Sequence, residues 1–257
     1  MISIKVSYRP FPFLWKRNCK AEVPQNWSEI NAMQLKSIVK LYDDKVSEIS
    51  FLATLTGLKR HILKNMTNYE RFKLMEILEF IGSLKPYHQF IIRKIYTSIT
   101  GPTLFSPEGK LKGVSFGQFI FSDTYFANYQ ESQNPDDLNK FIVSLYLRKN
   151  EKFDEKLINE RYQKLSSLDE NTRQAILLNY QLMHEWLTEA YPLIFQKVQQ
   201  QVESNEDKKP RNSNNWVKVF QNFVGDDIVH DHLWAEKPVN TILSYMTRKY
   251  KENARRK

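Results

Sequence analysis

Seven glycines in 257 residues are too few for a chain built mainly of strands and tight turns. Backbone reversals with positive φ fall mostly to glycine, so a chain this poor in it turns seldom and favours helices. Three of the seven, Gly101, Gly109 and Gly113, fall within "GPTLFSPEGKLKGVS" at 101–115, together with Pro102 and Pro107. That segment is the clearest loop. Elsewhere the abundant Leu, Ile, Lys, Glu and Gln tolerate helices well. The expected fold class is mostly α: a multi-helix globular domain with a short N-terminal strand, room for a small β-hairpin, and a small C-terminal helical element.

The strand is "ISIKVSY" at 2–8, where apolar and polar residues alternate before Pro10 and Pro12 end the pattern. A helix follows with Ser28 as its cap and Ile30, Met33, Leu35, Ile38, Val39 and Leu41 inward. "SEISFLATLTG" predicts a second helix closed by Gly57, and "LKRHILKNM" a short third. "TNYERFKLMEILEFIG" predicts a fourth, with Phe72, Met75, Leu78 and Phe80 or Ile81 inward. "PYHQFIIRKIYTSI" reads as a further helix beyond Pro86. "TLF" and "KLKGVS" around "SPEG" suggest the hairpin. Helical patterns then run through 116–129, 135–148 and 154–165, and from Asp169 to about Val202, with Pro192 breaking the last.

Residues 203–215, "ESNEDKKPRNSNN", lack any large apolar side chain and read as a linker. The expected organisation is therefore a helical core domain over 1–202, a polar linker over 203–215, and a C-terminal helical element with a basic tail over 216–257. The single cysteine, Cys19, forms no internal disulfide and fits a reducing compartment. The N-terminus does not read as a signal peptide, and no apolar run approaches membrane-spanning length. A cytoplasmic protein with no membrane partner is expected.

"GVSFGQFIFSDTYFANYQ" at 113–130 crowds six rings into one run. As a helix from Phe116 it places Phe119, Ile120, Phe126 and Ala127 on one face and Phe121, Tyr125 and Tyr129 on another. Two apolar faces mean burial on two sides, inside a core or against a second copy or partner. Base stacking fits poorly. A single-strand platform needs cations beside its rings, and 114–139 contains no Lys or Arg and four acids.

Sites for chemistry are sparse. The sequence holds no P-loop, dinucleotide fingerprint, G-x-S-x-G elbow or H-E-x-x-H. Cys19, flanked by cations in "KRNCK", has a sequence context that lowers a thiol pKa, but no histidine lies nearby. "GDDIVHDHLW" offers Asp226, His230 and His232 as weak candidate metal ligands in a spacing that matches no closed zinc pattern. No cofactor is expected. Six of the last ten residues are basic: Arg248, Lys249, Lys251, Arg255, Arg256 and Lys257. They form the alternative, nucleic-acid-binding surface, or else a solvated helix end suited to the dipole.

"WSEINAMQL" opening a helical region, "FGQFIFSDTYF" and the closing "VHDHLWAEKPVNTILSYMTRKYKE" resemble proteins of bacteriophage and prophage structural gene clusters. The ending, with Trp234, Pro238, Val239, Ile242, Leu243 and Met246 and with Tyr245 beside the last, is similar to the tail assembly chaperone type. The resemblance implies a non-enzymatic protein that binds other virion proteins, in the host cytoplasm or with the virion. The expected partners are phage structural or tail proteins, or a second copy of the chain. The candidate anchors are Phe121, Tyr125, Tyr129, Trp216 and Trp234. Nucleic-acid binding by the basic end, and a metal-dependent enzyme built on 226–232, are the rival readings.

Overall fold

A computed structural model of the chain describes residues 1–11, 15–97, 101–195, 216, 219 and 231–255; of Ser166, Ser167, Asp231 and His232 it describes the backbone. The architecture is mostly α, with two small two-stranded sheets. The chain divides into two compact units, Met1–Tyr87 and His88–Lys257. The boundary expected near residue 202 is thus replaced by one at 87/88. The linker expected at 203–215 lies outside the described residues. Among the described residues, no helix is long and apolar enough to cross a membrane.

The first unit opens with β1 (Ile2–Tyr8) paired antiparallel to β2 (Arg17–Val23), in a register setting Val6 opposite Cys19 and Ile4 opposite Ala21. Period-two alternation puts Val6, Ala21 and Val23 on the buried face and leaves Lys5 and Lys20 outward. Helices α1 (Ala32–Tyr42), α2 (Glu48–Thr56), α3 (Arg60–Lys64) and α4 (Asn68–Ile77) follow. Ser47 caps α2, Thr67 caps α4, and Gly57 closes α2 at φ 69°, a left-handed turn that suits glycine. The cap of α1 is Asn31, completed by Gln34 as a capping box. Ser28 lies instead in a short 3-10 turn that Asn26 caps. Gln34 also reaches α2, donating to the Leu55 carbonyl at 3.0 Å. Leu35, Ile38, Phe51, Leu52, Leu63, Leu74 and Leu78 form the core, with Trp27 edge-on to Phe80 at 5.5 Å.

Met33 and Phe72, both expected inward, are 73% and 65% exposed. Each lies two residues before a fully buried leucine, Leu35 and Leu74. Two helical steps turn about 200°, which sends the earlier residue to the far side.

In the second unit, 88–97 is extended rather than helical, and Pro86 and Tyr87, which end the first unit, also lie outside any helix. β3 (Lys94–Tyr96) pairs antiparallel with β4 (Thr103–Phe105), whose Phe105 also bridges to Leu147. Ile91, Ile92 and Ile95 are β-branched residues suited to this form. The hairpin expected between "TLF" and "KLKGVS" is therefore displaced: "TLF" pairs backwards, and Lys112 meets only Glu108. The helical body consists of α5 (Phe116–Ser132), α6 (Pro135–Leu145), the short α7 (Ile158–Arg161) and α8 (Glu170–Ala190). Ser115 caps α5, and α8 ends just before Pro192.

Two C-terminal helices, α9 (Asp231–Ala235) and α10 (Val239–Arg255), pack onto α5. Val239 N–H donates to the Val114 carbonyl at 3.0 Å, and Phe116 N–H to the Lys237 carbonyl at 2.8 Å. A Cβ at Gly117 would lie 3.3 Å from that of Ala235, so glycine admits this close approach. Val239, Ile242, Leu243 and Met246 are fully buried. The described part of the C-terminal element is continuous with the second unit.

Candidate interaction surfaces

The five aromatic residues singled out in the sequence separate into two groups. Tyr129 and Trp216 are buried. The Tyr129 hydroxyl accepts from Gln174 of α8 at 2.8 Å. Trp216 packs against Phe119 and Phe195 at 5.0 and 5.6 Å, and its indole N–H donates to Asp123 at 2.5 Å. Both rings hold the unit together, so they are corrected from partner anchors to core residues. Phe121, Tyr125 and Trp234 are half-buried. Phe121 lies 5.5 Å from Phe153, and Lys140 lies over the Tyr125 ring at 5.8 Å. Burial, with help from Asp137 and Glu155, pushes the Tyr125 hydroxyl above the ordinary tyrosine range. Trp234 rests 5.8 Å from Tyr245, with Lys237 over its ring.

Asp123 is the polar centre of α5. It is 6% exposed, accepts from Tyr180 at 3.0 Å and from Trp216, and stands 3.7 Å from His184 Nε2. Burial, reinforced by the adjacent Asp123 carboxyl, raises the Tyr180 hydroxyl well above its ordinary range. Phe126 and Phe141 pack against the Tyr180 ring, and Phe195 packs against His184 and Trp216. The buried carboxyl thus acts as a hub that fixes aromatic side chains.

The basic end of α10 exposes Arg248, Lys249, Lys251 and Arg255. Arg248 and Lys249 lie over the Tyr245 ring at 5.1 and 5.5 Å. Arg256 and Lys257 lie outside the described residues, as do Asp226, His230 and the His232 side chain. Among the described residues, no cluster of His, Cys, Asp and Glu is fit to hold a metal ion. Cys19 faces inward opposite Val6, and burial pushes its thiol up, contrary to what its cationic neighbours suggest.

What the sequence reading missed lies in the first unit. Of the twelve exposed large apolar side chains among the described residues, nine belong to it; the others are Tyr96, Phe105 and Leu233. Trp15 is 91% exposed, and Phe11 lies at the same end of the β1–β2 hairpin. Tyr69 and Phe72, three residues apart on one face of α4, are each 65% exposed. The hairpin is held to the α3–α4 turn by Arg9 N–H donating to the Asn65 carbonyl at 3.1 Å and by Asn65 Nδ2 donating to the Pro10 carbonyl at 3.4 Å. A groove of about 460 Å³ lies between them. Its walls include Tyr8, Arg9 and Lys16 from the hairpin and Lys64, Thr67 and Glu70 from the helices. A visible signal was "FPFLWKRNCK", where apolar rings end in cations. Compared with family models, curated proteins and solved structures, the chain matches none.

Proposed function

We propose that the protein is a non-enzymatic interaction protein of a phage or mobile element, acting in virion or tail assembly by burying apolar side chains against a protein partner. The observation that carries this reading is the concentration of exposed large apolar side chains in the first unit, a third of the chain. Single exposed apolar residues are ordinary, but two aromatic side chains exposed side by side on one helix face, as Tyr69 and Phe72 are on α4, are costly in water and typical of docking faces. Tyr69 and Phe72 on α4, with Met33 on α1, replace Tyr129 and Trp216 as anchors. Phe121, Tyr125 and Trp234 provide secondary contacts on the second unit. The phage assignment draws on the sequence resemblance of 27–35, 116–126 and 229–252.

Affinity capture from phage-producing cells, with retained proteins identified by mass spectrometry, tests the proposal. The wild-type chain retains a structural or tail protein, and a Tyr69→Ser/Phe72→Ser variant loses it. A chain that stays monomeric by light scattering and retains no virion protein would contradict the reading.

A further inference from the structure

We infer that the groove between the β1–β2 hairpin and the α3–α4 turn binds single-stranded nucleic acid, with Arg9, Lys16 and Lys64 on phosphates and Trp15 as a stacking surface for a base. This site lies in the first unit, whereas the basic end of α10 belongs to the second.

Charge is the first argument. Residues 1–21 contain five Lys and Arg and no acid. The first unit as a whole has fourteen Lys and Arg against eight Asp and Glu, a net +6 of the chain's +9. Arg9, Lys16 and Lys64 line the groove, and among the described residues none of the three forms an ion pair. Glu70 is the one acid on its walls. On the hairpin's outward face Lys5 stands directly opposite Lys20. Like charges at facing positions destabilise a strand pair, and an incoming polyanion relieves that repulsion. On α3 and its cap, Lys59 and Arg60 are both exposed and extend the positive field.

The rings are the second argument, and they choose between polyanions. Cations alone would serve an acidic peptide equally well. Trp15, next in sequence to Lys16, is 91% exposed; Phe11 is exposed and Tyr8 forms part of the wall. An aromatic face carries negative electrostatic potential, so it repels a carboxylate, whereas a nucleobase stacks upon it. Rings interleaved with cations are the combination that α5 lacks and the hairpin possesses. Tyr8 and Thr67 also line the groove, within a scaffold fixed by the Arg9–Asn65 and Asn65–Pro10 hydrogen bonds.

Titration of the full chain with fluorescent oligothymidylate and oligouridylate, followed by anisotropy across a salt series, tests the site. Binding is expected to weaken with salt, and an Arg9→Gln/Lys16→Gln/Lys64→Gln variant should flatten the log–log slope by about 2, as three lost single-strand phosphate contacts require. Trp15→Ala is expected to weaken binding roughly five- to hundredfold, while Trp15→Phe retains most of it. Trp15 is so exposed that circular dichroism should show both variants folded. A Lys249→Gln/Lys251→Gln/Arg255→Gln variant should bind as the wild type does. No binding at low salt, loss of binding only in that α10 variant, or equal competition by polyglutamate would overturn the assignment.

Discussion

Trp216 donates its indole N–H to Asp123 at 2.5 Å, across 93 residues of sequence, and the Tyr180 hydroxyl donates to the other oxygen of the same carboxyl. One acid on α5 thereby binds α8 and the segment carrying Trp216 into a single aromatic core. Removing it orphans two buried donors at once. Asp123→Ala should therefore destabilise the protein by about 2–6 kcal/mol, taking about 1–3 kcal/mol for each unsatisfied group. Urea unfolding measures this, and the tryptophan emission of the folded variant should shift to the red. A loss below about 1 kcal/mol would show that the carboxyl is not the hub.

Asn179 explains why 86–97 abandons the helix. Fully buried on α8, its side chain accepts from Ile91 N–H at 2.6 Å and donates to the Gln89 carbonyl at 2.9 Å, pairing as a strand neighbour would. Asn179→Ala should cost about 1–3 kcal/mol, because both backbone groups lose their partner. Amide exchange at Ile91 should accelerate with it. Unchanged protection there would mean that the extended form persists without the clamp.

Glu151 and Arg161 form a two-point ion pair, mostly buried, and Glu151 also accepts from Arg148 N–H at 2.9 Å. Burial alone would raise the Glu151 carboxyl, but the Arg161 hydrogen bonds outweigh it and hold the group below its ordinary value. The folded chain thus binds this proton less readily than the unfolded chain. The contribution is complete above the ordinary glutamate value of about 4.3 and disappears as pH falls through the lower folded value. Glu151→Gln should lose about 1.5–3 kcal/mol at pH 7. The gap from wild type should narrow below pH 4.3 in urea melts at stepped pH. A gap independent of pH would refute the ion-pair account.

Local chemistry made part of this fold legible. Gly57, Thr67 and Ser115 end or begin helices where their side chains or left-handed backbone predict. The apolar spacing at Val239, Ile242, Leu243 and Met246 marked the buried face of α10. Strand β2 was hidden because its inward positions are Cys19, Ala21 and Val23, of which only valine strongly favours strands. The extended segment before β3 was hidden because its partner, Asn179, lies 88 residues away from Ile91. The anchors were misjudged for a related reason. Ring content signals apolar surface but does not say which rings the fold will cover. Tyr129 and Trp216 are buried with polar partners, whereas Trp15, Tyr69 and Phe72 remained exposed.

Hydrogen–deuterium exchange on the complex with a captured virion protein tests the central claim most directly. The account predicts new protection over α4, around Tyr69 and Phe72, and at the start of α1 near Met33. Protection confined to α5 or α10, with α4 unchanged, would contradict it.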